Sequence, residues 1–504
     1  MNYADLFRVT LPETALEVAA LVVLIVDLAF LRKAALKVRV TVAALLGVAG
    51  CGAALWNLQT APVVHSKLWG PGFRWFEEEM LLGQGSYVKV AQSGILVLTA
   101  LTLLLFIDSD FTRHVGEYVA VILMAASGGL LVAAAQDLLV IFVGLELLSL
   151  GLYILTAFAK GSGKSAEAAM KYYLFGGMSA AFLLFGFSYF YGLSGTTNLF
   201  WIQYVIAKTG ASPLFYLAWI LVVVGLGFKI AAVPFHLWAP DTYEGSPASA
   251  AAFIASVSKV ASFTLLITLT EIWFGPGDKI TAEAFRIWQP LTMVLIVVSA
   301  ASMVVGNLAA LVQVSVRRLL AYSAIAHAGY ILLGLSFFSW SNNSANAVLY
   351  YVLTYGLTII GAFGVVSVVE RATGSDRLDS FLGLHKRNPL LAAVLLVLFL
   401  SLAGIPPLVG FWAKFNLFAA VLGVSAGPVP FALVALAIAM SAVSLYYYLQ
   451  VLKRAYVMPA IDETPIKAHP VTMAVLLLIA ASVVVLGCFP ALLLRWIESF
   501  YPVM

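Results

Sequence analysis

The sequence predicts an all-α polytopic membrane protein of about 14 transmembrane helices, with two inverted five-helix repeats and two broken helices. Three observations lead to that class. Hydrophobic residues make up 62% of the 504 and charged residues 10%, with a mean hydropathy of +1.01; soluble domains carry about 25% charged residues. Apolar runs of the roughly 20 residues that cross a bilayer recur along the chain. Two of the runs are interrupted by prolines, the second at Gly404-Ile-Pro-Pro-Leu408, and the motifs Pro234-Phe-His-Leu-Trp-Ala-Pro240 and Pro407-Leu-Val-Gly-Phe-Trp-Ala-Lys414 are related, each a proline followed four or five residues on by Trp-Ala.

In chain order, Asp5, Arg8 and Glu13 come before the first full apolar run. That start lacks the basic segment and small-residue cleavage site of a signal peptide, so the run reads as a retained span. The spans fall near 13–31, 39–58, 88–107, 115–135, 138–159, 166–191, 213–239, 247–273, 290–312, 319–338, 346–369, 389–424, 428–452 and 470–494. The longest connections, Gln59 to Tyr87 and Glu370 to Asn388, leave no room for a soluble domain. A single membrane domain over 1–504 is expected: N-terminal helices in 1–110, repeats at 115–273 and 290–452, and a C-terminal helix at 470–494. Each proline break lies in the fourth span of its five-span block, the pattern of inverted repeats around an ion path.

Alternate connections differ in charge. Of 28 Lys and Arg, sixteen, including Arg32, Lys33, Arg113, Lys160, Arg318 and Lys453, lie in one set of loops and eight, including Arg8, Lys67 and Lys208, in the other. The richer set marks the cytoplasmic side, which places both termini on the opposite side. The remaining four, Lys171, Lys229, Lys259 and Lys414, fall inside spans.

Ionisable groups at that depth are rare and need a reason. Glu146, near the middle of its span, must be protonated, paired or wetted; it reads either as a structural partner of Lys171 or as a proton-accepting switch. Lys229 precedes the first break and Lys259 lies about twelve residues, roughly 18 Å, into its span, too deep for simple snorkelling. A buried amine readily gives and takes a proton. His236 either caps the broken backbone or titrates between these lysines. His327 is either a satisfied core histidine, with Ser323 one turn before it, or a proton relay. Lys414 follows the second break. Asp27, Glu117, Asp137, Asp241 and Glu271 lie near span ends and read as interfacial.

Other chemistries find little support. Cys51 and Cys488 stand apart, without the spacing of zinc or iron–sulfur ligands. No Gly-rich phosphate loop and no Asp-rich oxygen cage for Na⁺ or Ca²⁺ occurs. The net charge of +4 gives no reason to expect nucleic acid. Proton movement fits the remaining groups best.

Longer motifs sharpen this. They are Leu11-Pro-Glu13 with Asp27, Gly144-Leu-Glu-Leu-Leu-Ser-Leu150, Lys171-Tyr-Tyr-Leu-Phe-Gly176, Pro234 to Gly245, Arg318-Leu-Leu-Ala-Tyr-Ser323 with His327, and Gly404-Ile-Pro-Pro407 with Phe411 to Phe415. Spread over nearly the whole chain, they resemble the antiporter-like membrane subunits of respiratory complex I. The N-type, counterpart of mitochondrial NADH dehydrogenase subunit 2, is favoured over the M-type by Lys414, where the M-type carries a glutamate, and by the wording around Glu146. The resemblance implies fourteen helices in two inverted bundles, the seventh and twelfth helices broken, and proton translocation in NADH:quinone oxidoreductase. It makes Glu146 and Lys171 the coupling pair, Lys229 the central titrating lysine, His236 and Lys259 connecting groups and Lys414 the exit-side lysine. It implies no cofactor on this chain, with NADH, FMN, iron–sulfur clusters and quinone belonging to partner subunits. The implied partners are the M-type and small K- and J-type subunits in a bacterial inner membrane. Arg317-Arg318 departs from the Lys-Arg of many relatives; a permanently charged arginine there leaves position 317 no proton role. The alternative is a subunit of a free-standing multi-subunit cation/proton antiporter, working without NADH or quinone.

Overall fold

Helix punctuation sets most element boundaries. The computed structural model describes residues 9–60, 82, 86–274, 282–337, 343–424, 427–460 and 462–499. Asp5, Arg8, Lys67, Arg74, Lys279 and the side chains of Glu271 and Arg286 lie outside the described residues. The chain forms α1 (Leu11–Ile25), continued by a π turn at Val26–Phe30, then α2 (Leu36–Thr60), α3 (Ser86–Phe106), α4 (Val115–Ala134), α5 (Leu138–Thr156), α6 (Gly163–Ser194) and the short α7 (Leu199–Thr209). The first broken span is α8 (Pro213–Lys229) and α9 (Trp238–Gly245), followed by α10 (Ala248–Phe274). Then come α11 (Ala282–Leu311), α12 (Val316–Ser336), α13 (Asn343–Thr373) and α14 (Leu384–Arg387). The second broken span is α15 (Pro389–Ala403) and α16 (Val409–Val424); α17 (Pro428–Tyr456), α18 (Pro470–Cys488) and α19 (Ala491–Ser499) complete the chain. Asp137, Ser162, Asn198, Ser212, Ser315 and Asn388 each cap a helix N-terminus by accepting from backbone N–H groups of the first turn, the role short polar side chains fill best.

Among the described residues, eleven helices are long and apolar enough to cross a membrane, and α8, α15 and most of α16 are shorter apolar helices. Every span read from the sequence falls on a helix, a helix with its π turn, or a broken pair.

Two halves of the chain share features. At the start of α5, Leu138 N–H donates to the Thr197 carbonyl and Leu199 N–H to Gln136; at the start of α12, Val316 N–H donates to Asp376 and Leu378 N–H to Val314. Both halves thus clip the second helix of the block to the segment after the third. Both also cross their first two helices closely. A Cβ on Gly128 in α4 would stand 2.5 Å from the Leu148 nitrogen, and one on Gly306 in α11 would stand 2.6 Å from the Ala326 nitrogen. Small residues at such crossings let backbones pack without a hydrophobic driving force in lipid.

The centre of the molecule is α10, α12 and α13, with 100%, 94% and 89% of their apolar windows buried; α17, at 28%, lies on the periphery. The sequence of α10 explains its place. Its small Ala residues allow close approach, and Ser256, Thr264, Thr268 and Thr270 bond their hydroxyls back to carbonyls one turn earlier. Polar atoms are thereby satisfied within the helix.

Asp27, read as interfacial, is instead 1% exposed. Both its oxygens accept from Arg39, at 2.7 Å each, and Oδ2 also accepts from Gly116 N–H at 3.0 Å. The π turn places it against α4. Burial is tolerated because the fork of Arg39 and a backbone donor together satisfy the carboxylate.

Candidate functional site

At the first break α8 ends on Lys229 itself. The freed backbone groups are covered by protein, as a break within a membrane requires. The Phe228 carbonyl accepts from Ala231 N–H and from the Trp238 indole at 2.9 Å, and Val233 N–H donates to Ser302 of α11 at 2.9 Å. Ala231 adopts φ 58° to close this turn, a conformation that costs an L-residue about 1–2 kcal/mol. The second break is covered differently. There Gly404 has φ 89°, Gly410 N–H donates to Ser401 Oγ at 3.2 Å, and the Trp412 indole donates to Gly487 of α18 at 2.8 Å.

Three lysines stand at or near these breaks inside the protein. Lys229 is 6% exposed; its ammonium donates to the Ser149 hydroxyl of α5, which donates onward to the Leu145 carbonyl. Its Nζ lies 5.9 Å from the Tyr153 ring centre. Glu146 lies three residues before Ser149 on the same helix, α5. Lys259 is 2% exposed, donates to the Ala324 carbonyl of α12 and lies 5.4 Å from the centre of the Tyr355 ring. Lys414, 6% exposed, closes the end of α15 by donating to Leu402 O at 3.2 Å, Ala403 O at 2.8 Å and Ser441 Oγ at 2.7 Å. A cation there faces the negative end of the helix dipole.

His327 lies on α12 between Ala324, whose carbonyl binds Lys259, and Tyr330, whose ring Lys414 faces at 5.3 Å. It is 4% exposed, and its Nδ1 stands 2.8 Å from Tyr351 Oη. His236, in the first break, is half-buried, and its buried Nδ1 has no hydrogen-bond partner among the described residues.

Lys171 is placed differently from the other three. It is 40% exposed and its Nζ is 2.7 Å from both Asp241 Oδ2 and Glu167 Oε1. Among the described residues no ion pair involves Glu146, which is half-buried. Asp241, taken from the sequence as interfacial, joins α6, α9 and α12, because its other oxygen accepts from Arg318 at 2.6 Å. Arg318 also reaches Glu244 at 3.0 Å, and Arg317 donates to the Glu244 and Ser246 carbonyls at 2.8 Å each. Partial burial opposes ionisation of Asp241, but hydrogen bonds from Lys171 and Arg318 outweigh it and hold the carboxyl below the usual carboxylate range.

Sequence reasoning missed Asp241, Arg318, Ser149 and the tyrosines around His327. The first two could have been found in the quoted motifs Pro234 to Gly245 and Arg318 to Ser323, but hydroxyl and phenol groups carry no signal among so many membrane Ser and Tyr. Among the described residues no His, Cys, Asp or Glu group could hold a metal ion. Chemically, buried amines beside hydroxyl and carbonyl groups can bind and release protons; each amine is held by neutral acceptors that suit its charged form.

The family described as "NADH:quinone oxidoreductase/Mrp antiporter, TM" matches residues 135–441. The "NADH-quinone oxidoreductase subunit N 2" of Acidobacterium capsulatum is 47% identical over 515 aligned residues, covering 99% of each chain. A chain of respiratory complex I from Thermus thermophilus superposes with a TM-score of 0.75 at 34% identity, covering 96% of this chain and 98% of that one. A chain of the Mrp complex from Dietzia shares the fold, with a TM-score of 0.78 at 21% identity and coverage of 97% and 96%. With identity sustained over the full length of a subunit N, the chain belongs to the N-type, antiporter-like membrane subunits of NADH:quinone oxidoreductase.

Proposed function

We propose that this chain translocates protons within a bacterial NADH:quinone oxidoreductase, through Glu146, Lys171, Lys229, His236, Lys259, His327 and Lys414, and does no redox chemistry itself. The observation that carries the reading is the set of three lysines, each at most 6% exposed and each held by neutral acceptors. An ammonium in such a place costs several kcal/mol to desolvate, a cost that a purely structural role would avoid with an apolar residue. Its proton affinity therefore answers strongly to a neighbouring charge, each pKa unit being about 1.4 kcal/mol.

In this reading, redox events in partner subunits change the charge balance at Glu146 and Lys171. Lys171 is bound here by Asp241 and Glu167, and in this reading it exchanges between them and Glu146. When Lys171 approaches Glu146, less of the carboxylate's field is left to favour a proton on Lys229, and Lys229 passes its proton by way of His236 and Lys259 towards Lys414. The bundles at 115–273 and 290–452 then each contribute one broken span to a single route. Partners are the M-type and the small K- and J-type subunits, the redox cofactors belong to partner chains, and both termini face away from the cytoplasm.

The test is NADH-driven proton pumping, measured beside NADH:quinone electron transfer, in membranes carrying Lys229→Ala with the assembled complex quantified. Both activities are expected to fall together. Normal rates in an assembled complex would make Lys229 structural and defeat the route.

A further inference from the structure

His327 sits at a gap in this route. On α12 the Lys259 ammonium binds the carbonyl of Ala324, three residues before His327, and Lys414 faces the ring of Tyr330, three residues after it, at 5.3 Å. Three helical residues rise about 4.5 Å, so the two contacts stand about 9 Å apart along α12 with the imidazole midway. Direct transfer needs heavy atoms about 2.6–3.2 Å apart. An intermediate carrier is required.

An imidazole relays a proton only when both nitrogens have partners: it takes one on one nitrogen and gives another from the second. At Nδ1 the partner is the Tyr351 hydroxyl, 2.8 Å away, on a residue 1% exposed. The ring is fixed in place by Tyr355, at 4.7 Å between centres, and by the edge of Tyr330 at 5.8 Å. Tyr355 also covers Lys259 and Tyr330 also covers Lys414, so the phenols bring the two lysine environments together on the imidazole.

We propose that Tyr351 is a proton-carrying residue of the second half of the route, the partner through which His327 becomes a two-ended relay. In this step the Lys259 ammonium gives a proton to Tyr351 Oη, the existing O–H bond breaks as an N–H bond forms at His327 Nδ1, and the Nε2–H bond breaks as that proton passes to a neutral Lys414 amine, so that Lys259 ends neutral and Lys414 charged. The phenol ends neutral, one proton has moved, and no electron is transferred. Phenylalanine at 351 would leave the ring in place and remove the partner at Nδ1.

This inference rests on the Lys259-to-Lys414 route proposed above, so Lys414→Ala is measured beside it. With equal amounts of assembled complex, Tyr351→Phe is expected to lower NADH-driven pumping to about a hundredth, the low end of what a positioned proton-transfer group contributes. Tyr351→His, which restores a proton-carrying group, should retain more activity than Tyr351→Phe. A merely structural tyrosine would show the reverse order, because Phe keeps its shape. Tyr350→Phe, a neighbour whose buried hydroxyl has no partner among the described residues, is the control expected to pump normally. Normal pumping by Tyr351→Phe with loss in Lys414→Ala would overturn the role of Tyr351 and leave the route intact. Normal pumping by both would overturn the route as well.

Discussion

The two breaks should respond differently to loss of their lysines, and the acceptors around each ammonium give the size of the difference. Replacing Lys414 by Met keeps the length of the stem and removes the charge. It leaves the Leu402 carbonyl without its donor, while the Ala403 carbonyl keeps only Ser441, at 3.3 Å. An unsatisfied buried carbonyl costs about 1–3 kcal/mol, and a favourable dipole contact worth about 0.3–2 kcal/mol is also lost, for a total of about 1–5 kcal/mol. Lys229→Met leaves only the Ser149 hydroxyl, which still donates to Leu145, so its cost is below about 1 kcal/mol on the same scale. Both substitutions remove the desolvation of one ammonium, which cancels in the comparison. The assay is thermal loss of the assembled complex, followed on native gels for both variants, with pumping measured on the same membranes. Lys414→Met is expected to dissociate at the lower temperature while both lose pumping. Equal or reversed stability would refute the assignment of Lys414 as the cap of the broken helix.

Three further outcomes follow from the packing. Asp27→Asn should lower the yield of assembled complex, since removing one partner of a buried ion pair costs about 3–5 kcal/mol; the double change with Arg39→Gln should recover part of it. Gly128→Ala should cost about 1–3 kcal/mol by forcing α4 away from the α5 backbone, and should slow pumping because the contact lies one residue from Ser149; an unchanged complex would contradict that crossing. Asp241 gives a pH signature. Its carboxyl is held below the usual range, so its contribution to stability is whole above the unfolded value of about 3.9 and is lost as pH falls through the lower folded value. Acidification below about pH 4 should therefore destabilise the native complex more than one carrying Asp241→Asn, which thermal scans at stepped pH would read.

By itself the sequence determined the membrane class, the spans and both breaks. Apolar length and proline chemistry act locally, and each proline run leaves the same mark wherever the chain goes. It also picked out Lys229, Lys259 and Lys414, because a charge in an apolar run is conspicuous before any contact is known. The tertiary structure alone decided what holds each charge. Lys171, alike in sequence to the other three, turned out 40% exposed and bound to Asp241 and Glu167, because it lies only two turns into α6 and α9 brings Asp241 to it. Asp27, near a span end in sequence, is buried because Arg39 folds back onto it across the α1–α2 turn. Ser149, Tyr351 and Tyr355 meet Lys229, His327 and Lys259 only across helices. Hydroxyls and phenols are common in membrane helices, and only the packing of α5, α10, α12 and α13 shows which of them face a lysine or a histidine.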